Sequence, residues 1–276
     1  MGARETALNA LIACRKDGAW SNSVLKTYTL RDGLDRREAA LASRLCYGVL
    51  QNRMLLDHYI DQLVKTGAAS LKASDRVLLR MGIYQLGYMD SVPEYAAVNE
   101  SVVMAKKYCR GRSGFINGVL RGYIAKKEQL TLPDKEKDLI KYLSVKYSYE
   151  PWIVELWMDE YGAEFTEELL AAGNDTPHNT IRFNWMKTRK QDLMEKLEER
   201  GFEVEEGRVC ANAIHVKGSG LLETELYKGG MFSVQDESSM LVAEKVNPQH
   251  GETIMDLCAA PGGKTMAMAE RMNNTG

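Results

Sequence analysis

The sequence lacks any long apolar run and any clustered set of metal-ligating residues. No stretch approaches the roughly 20 apolar residues of a membrane-spanning helix, and the N-terminus has no apolar signal-peptide core. Five cysteines and four histidines are scattered through 276 residues, and none has the C-x-x-C or Cys/His spacing of a zinc site. We therefore expect no membrane span and no metal. Scattered cysteines, odd in number, are typical of free thiols in the reducing cytoplasm.

The chain also carries little net charge, with a formal value of only −2. Its distribution is uneven: residues 1–130 carry 20 Lys/Arg against 12 Asp/Glu, whereas residues 131–276 carry 16 against 26. The most basic stretch, residues 101–127, contains no acid. This asymmetry favours a polyanionic partner for the first half, although a solvated basic face without a partner explains the charge equally well.

Hydrophobic periodicity predicts a helical first half and a smaller mixed segment after it. Val77, Met81, Tyr84 and Tyr88 repeat along one face of a helix, and residues 1–130 are predicted to be helical throughout. Residues 131–150 are polar and are predicted to form a linker and the helical lead-in to the next segment. Within 151–232, a helix is followed by a β-α-β-β pattern that predicts a small α/β domain of ferredoxin-like or RRM-like type. The aromatic RNA-binding signature of a true RRM is missing.

Residues 253–265 combine an apolar run, an acid, a turn of small residues and a helical start. This pattern predicts a strand, a tight loop and a helix N-terminus, where ligands bind in open α/β sheets. A Walker A loop is incomplete, because Cys258 stands where its first glycine belongs, and the G-x-G-x-x-G fingerprint is absent. The letters of residues 256–265, D-L-C-A-A-P-G-G-K-T, instead resemble motif I of the RNA cytosine-C5 methyltransferases.

The order of further segments resembles a particular family. ASRLCYGVL at 42–50, LRMGIYQL at 79–86, AVNESV at 97–102 and FINGVLR at 115–121 resemble a NusB-type RNA-binding domain. SVQDESS at 233–239 resembles the entry to the catalytic domain of the cytosine-C5 methyltransferases. The chain is therefore similar to the Sun/Fmu (RsmB) family of small-subunit ribosomal RNA cytosine-C5 methyltransferases.

The resemblance implies a multidomain fold with given boundaries. An all-α NusB-like domain would cover residues 1–130, a linker 131–150 and a small α+β domain 151–232. The start of a class I Rossmann-like methyltransferase domain would cover 233–276. Because that domain would be represented only by its beginning, we expect the chain to be the N-terminal part of a longer protein. The chain is then expected to act as a monomer.

The resemblance also implies a cofactor, S-adenosylmethionine, and a partner, small-subunit ribosomal RNA. The family's catalytic cysteines would lie after Gly276, so no catalytic residue is predicted here and Cys258 is expected to be a small packing residue. The expected cofactor-binding residues are Cys258, Ala259, Ala260, Pro261, Gly262, Gly263 and Lys264. For Lys264, a role as a mere first-turn helix residue stays open. The expected RNA-binding residues are Lys106, Lys107, Arg110, Arg121, Arg182 and Asn184.

Three functional hypotheses remain at this point. The first is the N-terminal part of a ribosomal RNA cytosine-C5 methyltransferase, in which the truncated cofactor site binds S-adenosylmethionine weakly or not at all. The second is a non-catalytic NusB-like RNA-binding or transcription-regulating module with a vestigial cofactor loop. The third is a nucleotide hydrolase with a degraded Walker loop. We favour the first, because the motif I match joins many rare residue choices.

Overall fold

The protein folds into two compact units, Met1–Asp175 and Thr176–Gly276. The computed structural model describes residues 1–17, 21–175, 177 and 179–276. The first unit is helical, and its α-helices are α1 (Ala3–Asp17), α2 (Ser21–Arg31), α3 (Arg36–Gln51), α4 (Arg53–Leu63), α5 (Ala73–Tyr88), α6 (Glu94–Tyr108), α7 (Ser113–Lys126), α8 (Leu139–Tyr147), α9 (Pro151–Tyr161) and α10 (Ala163–Ala172).

Helix α5 lies at the centre of the first unit. Val77, Met81 and Tyr84 of its predicted stripe are buried, while Tyr88 is partly exposed. Helices α3 and α7 approach α5 closely at glycine positions, where no side chain keeps the helices apart. A Cβ at Gly48 would lie 2.0 Å from the Tyr84 ring, and a Cβ at Gly82 would lie 2.6 Å from Leu120. These glycines therefore allow the core helices to pack at short range.

Part of the predicted linker is structured. Residues 139–147 form α8, which begins with the Asp138 carboxylate accepting a hydrogen bond from the Lys141 N–H. Leu143 of α8 packs with Val154 of α9 and Leu170 of α10. These three helices belong to the first compact unit, so the structural boundary follows α10 rather than residue 150. Six of the nine residues of α8 are apolar or aromatic, which agrees with the helical lead-in predicted at the end of the linker.

The second unit is built on a four-stranded antiparallel sheet of order β2-β3-β1-β4. Its elements are β1 (Asn179–Phe183), α11 (Lys190–Glu198), β2 (Glu203–Glu206), β3 (Ala213–Lys217), α12 (Glu225–Lys228), β4 (Phe232–Val234), α13 (Glu237–Val246) and α14 (Gly263–Arg271). The predicted fold class, helices followed by a small sheet domain of ferredoxin-like topology, is confirmed. The edge strand β4 lies across the predicted boundary at residue 232.

The two faces of this sheet differ in chemistry because strand side chains alternate. Ile181, Ile214 and Phe232 lie in one apolar cluster together with Leu193 and Leu197 of α11. Arg182 of β1 forms an ion pair with Glu270 of α14, and His215 Nε2 of β3 lies 2.7 Å from Glu237 Oε1 of α13. The sheet is thus joined to the last two helices by charged and polar contacts.

The strand predicted at residues 253–257 is absent, which corrects the sequence-based expectation. Within the part of the chain that the structure describes, no strand pairs with this segment. Met255 is 82% exposed and Leu257 is 87% exposed. A strand requires a neighbour for its backbone hydrogen bonds, and apolar composition alone does not supply one. The predicted loop and helix that follow are present.

Candidate functional site

The loop between residues 256 and 263 is organised by one carboxylate. Asp256 Oδ1 accepts a hydrogen bond from the Cys258 N–H at 2.9 Å, and Oδ2 accepts one from the Thr265 hydroxyl at 2.6 Å. The Thr265 hydroxyl, the Cys258 N–H and the nearby Lys264 charge lower the pKa of Asp256. The carboxylate therefore closes the loop on itself, which fixes the backbone of Cys258 and Ala259 at the surface.

Helix α14 begins directly after this loop. Gly262 has φ +110° and ψ −3°, a conformation that suits glycine, and its carbonyl accepts the Met266 N–H at 2.8 Å. No side chain caps this helix among the described residues. The N–H groups of its first turn lack intrahelical acceptors and carry a partial positive charge. They are available donors for an anionic ligand.

A cleft of about 170 Å³ lies beside the loop. One wall consists of the loop and the first turn of α14, and the other consists of the segment that follows β4. The lining residues are Val234, Gln235, Asp236, Ser239, Cys258, Ala259, Ala260, Pro261, Gly263 and Lys264. The cleft is smaller than the roughly 300–1,000 Å³ of ordinary ligand sites. It can hold only part of a nucleoside-sized ligand.

Six of the seven predicted cofactor-binding residues therefore line the cleft, and Gly262 does not. Gly262 instead supplies the turn into α14. The sequence did not predict that Gln235, Asp236 and Ser239 face the same cleft. The sequence did offer a signal for a role of this segment, because residues 233–239 resemble the entry to the catalytic domain. The proximity of this segment to the loop, however, depends on the fold.

The cleft wall is supported from behind by a buried polar chain. Arg182 is 4% exposed, and its Nε donates to Gln235 Oε1 at 2.7 Å. Its Nη1 is ion-paired with Glu270, which is also buried. This placement corrects the predicted RNA contact of Arg182, because a guanidinium committed to two buried partners is not available to phosphates.

Asn184 is also committed within the protein. Its amide nitrogen donates to the Gly230 carbonyl at 3.2 Å, and its side-chain oxygen accepts the Met186 N–H at 3.1 Å. Asn184 thus organises the turn after β1, and its contact with RNA stays a prediction. Asn and Asp commonly take this role by bonding to backbone two residues ahead.

A second buried carboxylate fastens α13 to the sheet. Glu237 accepts hydrogen bonds from the N–H groups of Val209 and Cys210 at 2.7 Å and of Arg208 at 3.1 Å. His215 Nε2 lies 2.7 Å from Glu237 Oε1. Burial acts to raise the pKa of Glu237, but the backbone donors and His215 outweigh it and lower the pKa to about 2.

Burial raises the thiol pKa of four of the five cysteines. Burial raises the pKa of Cys46 to about 12 and that of Cys109 to about 11, and it also raises the pKa of Cys14 and Cys210. A reactive cysteine requires a lowered pKa. Cys258 is exposed in the loop, where its backbone N–H donates a hydrogen bond to Asp256. Among the described residues, no three His, Cys, Asp or Glu side chains form a metal site.

The remaining RNA candidates lie on the surface of helices α6 and α7 and the turn between them. Lys106, Lys107, Arg110 and Arg121 are all exposed. Lys107 forms an ion pair with Glu5, whose second partner is the Tyr108 hydroxyl. Arg121 lies with Tyr95 along a groove of about 440 Å³ between the two helices. RNA contact by these four residues stays a prediction.

These four residues do not form one tight cluster. Helices α6 and α7 are joined by a short turn, so Lys106 and Arg110 lie at one end of the pair and Arg121 lies toward the other. The eight residue steps from Ser113 to Arg121 correspond to roughly 12 Å along a helix. Such a spread matches several phosphates of a nucleic acid rather than a single anion.

None of the helices that the structure describes has the length and apolar character needed to cross a bilayer. With the geometry established, comparison with known proteins is informative. Three family models match in series: the NusB family over residues 1–125, the ferredoxin-like domain of RsmF/B-like methyltransferases over 149–222, and the 16S rRNA methyltransferase RsmB/F family over 243–276.

Individual relatives match over nearly the whole chain. The Bacillus subtilis protein named "Probable ribosomal RNA small subunit methyltransferase B" is 35% identical over 99% of this chain and 61% of its own length. A protein of the same name from Synechocystis is 32% identical over 100% of this chain and 62% of its own length. The solved structure "Crystal Structure of PH0851" has a TM-score of 0.66 and 23% identity, and the match covers 98% of this chain and 62% of that chain.

The three matched segments are similar, in this order, to the domains of multidomain ribosomal RNA methyltransferases. Within that class, the NusB domain, the ferredoxin-like domain and the start of the methyltransferase domain follow one another as the sequence resemblance implied. The resemblance to the Sun/Fmu (RsmB) family that the sequence indicated is thereby confirmed. The chain spans about 61% of the length of the curated relatives that it matches.

Proposed function

We propose that this chain is the N-terminal part of an S-adenosylmethionine-dependent cytosine-C5 methyltransferase that acts on small-subunit ribosomal RNA. One observation carries the proposal: the motif I loop and the 233–239 segment, which are separated by residues 240–255, form two walls of one cleft. The relatives are named small-subunit rRNA methyltransferases, which supports the same reaction class.

The residues of the cleft fit the amino-acid end of S-adenosylmethionine. The first-turn N–H groups of α14 and the Lys264 side chain suit a carboxylate, while Asp236 on the opposite wall suits an ammonium group. The buried amide of Gln235 adds a neutral polar group to this wall. Gly263 leaves space that a side chain would reduce, because a Cβ there would lie 3.7 Å from Gln235 Nε2. S-adenosylmethionine supplies the methyl group when bound.

The helical unit would hold the RNA. Lys106, Lys107, Arg110 and Arg121 would meet phosphates and set the affinity in a salt-dependent manner, without specifying sequence. Methylation at cytosine C5 proceeds through a cysteine thiolate that adds to C6 of the base, and burial raises the thiol pKa of four of the five cysteines here. We therefore expect the thiolate to come from residues beyond this chain, with the full protein acting as a cytoplasmic monomer.

Transfer of labelled methyl from S-adenosylmethionine to small-subunit ribosomal RNA tests the proposal. The full-length protein and the 276-residue chain are compared, and the modified base is identified by nucleoside mass spectrometry. Label at cytosine C5 with the full-length protein alone is the expected result. Label on another base would refute the cytosine-C5 assignment.

A non-catalytic RNA-binding module is the alternative, favoured by the exposed basic residues of α6 and α7 and by the small size of the cleft. Absence of methyl transfer by the full-length protein, with RNA binding intact, would support that module instead. Binding of S-adenosylmethionine by the 276-residue chain is expected to be weak or absent. A dissociation constant in the low micromolar range would contradict that expectation.

A further inference from the structure

Gln235 is held in a single orientation at the wall of the cleft. It is 6% exposed, and its backbone N–H donates to the Thr180 carbonyl at 3.1 Å, which continues the pairing of β4 with β1. Its Oε1 accepts from Arg182 Nε at 2.7 Å. Because a guanidinium can only donate hydrogen bonds, the amide oxygen must face Arg182 and the amide nitrogen must face the other way.

The nitrogen of this amide has no acceptor. Gln235 Nε2 is buried, and no atom of the described residues accepts a hydrogen bond from it. A buried unsatisfied donor costs free energy, so such groups in folded proteins usually serve a ligand or a bound water. Gln235 lines the cleft and lies against Gly263, the first residue of α14. The amide nitrogen is therefore available to donate a hydrogen bond to a ligand atom in the cleft.

The neighbouring groups indicate which ligand atom this is. The first-turn N–H groups of α14 and the Lys264 ammonium border the same cleft. They are all donors, and together with the amide nitrogen they favour a carboxylate. Asp236, the next residue in the chain, lines the cleft as well and offers the opposite charge. Donors on one side and an acid beside them match a zwitterionic amino-acid group.

We propose that Gln235 is a cofactor-binding residue whose Nε2 donates a hydrogen bond to the carboxylate of S-adenosylmethionine. The inference rests on the proposed function, because it takes the ligand from it. It adds a side-chain contact from outside the motif I loop. Arg182 and Glu270 then act as positioning residues, since their buried ion pair holds the amide with its nitrogen toward the ligand.

Calorimetric titration of the full-length protein tests the contact without reference to activity. Gln235→Ala is compared with the wild type for two ligands, S-adenosylmethionine and its decarboxylated form, which lacks only the carboxylate. Loss of a hydrogen bond to a charged group should weaken binding of S-adenosylmethionine by about tenfold or more. Binding of the decarboxylated form should change by less than about twofold.

Two further variants separate binding from folding. Gln235→Glu keeps the side-chain length and the contact with Arg182 but replaces the donor with a negative charge, so it should weaken S-adenosylmethionine binding more than Gln235→Ala does. Gln191→Ala removes an exposed amide on α11 and should leave both affinities unchanged. The melting temperature of each variant shows whether the protein is folded at the titration temperature.

The outcomes are distinguishable. Equal weakening of both ligands by Gln235→Ala, or no weakening of either, would overturn the role of Gln235 and leave the proposed function standing. A wild-type protein that binds neither ligand would overturn the S-adenosylmethionine assignment itself, and the inference with it. Selective weakening of S-adenosylmethionine supports both.

Discussion

The buried ion pair between Arg182 and Glu270 permits a quantitative test of how the second unit is held together. The two side chains are 5% and 8% exposed. Arg182→Met keeps most of the volume but leaves the Glu270 carboxylate buried without its partner, and it removes the hydrogen bond to Gln235. Breaking one side of a buried pair costs about 3–5 kcal/mol. We expect the free energy of unfolding of the second unit to fall by that amount.

A loss of this size is measurable as a shift of the melting temperature. For a domain of up to about 100 residues, 1 kcal/mol corresponds to roughly 4–8 °C, so at least about 12 °C is expected. Differential scanning calorimetry gives the shift. Amide hydrogen exchange followed by mass spectrometry assigns it, because protection should fall in strands β1 and β3 but not in helix α5.

Two comparisons make the test decisive. The double variant Arg182→Met/Glu270→Leu removes both charges and should recover most of the loss, because an apolar pair of similar volume avoids the desolvation cost. Lys190→Met breaks the partly exposed pair with Glu206, which is 2.8 Å long, and should cost less than about 1 kcal/mol. A shift below about 4 °C for Arg182→Met, or a double variant no more stable than the single one, would refute the reasoning.

Three more expectations follow from features of the two units. The lowered pKa of Glu237 should contribute stability to the second unit that is complete above about pH 5 and is lost as the pH falls toward 2. Glu237→Gln should therefore destabilise by roughly 2–3 kcal/mol at pH 7 and by about 1 kcal/mol at pH 3 in urea titrations. Replacing Lys106 and Arg121 with Glu should weaken binding of small-subunit ribosomal RNA fragments and lower the slope of log K against log salt by about 1–2 in filter-binding assays. Gly48→Ala should destabilise the first unit by about 1–3 kcal/mol because of its clash with the α5 core, whereas Gly118→Ala, with open space around it, should be neutral or stabilising.

Each of these has a contrary result. A Glu237→Gln variant whose loss of stability is the same at pH 3 and pH 7 would show that the charge of Glu237 is unimportant. Unchanged RNA affinity at low salt would reject the surface of α6 and α7. A Gly48→Ala variant as stable as Gly118→Ala would mean that the close approach of α3 and α5 relaxes without cost.

The helical unit and the small sheet were predictable because their signals are local. The stripe from Val77 to Tyr84 repeats at helical spacing, and β1 and β3 alternate as strands do. The loop at 256–263 and the start of α14 were predictable because an acid, small residues and a helical start occur consecutively. In these places, neighbours in the sequence determine the structure.

What the sequence did not predict depends on contacts between distant residues. Arginine is a residue type that commonly contacts RNA phosphates. Only the ion pair of Arg182 with Glu270, 88 residues away, shows that its side chain is internal. Gln235 reads as an ordinary polar residue until its two amide ends are seen between Arg182 and the cleft. The apolar run at 253–257 looks like a strand, yet strand formation depends on a partner that local sequence does not reveal.

Residues 232–237 perform a different task at almost every position. Phe232 fills the sheet core, Gln235 faces the cleft, Asp236 begins α13 by accepting the Ser238 N–H, and Glu237 binds the turn before β3. Inserting or deleting one residue after Val234 would move all of the later side chains away from their partners at once. When domains are exchanged between relatives, residues 232–237 should therefore be kept together with α13 and α14. The junction between the two sequences should be placed before residue 229.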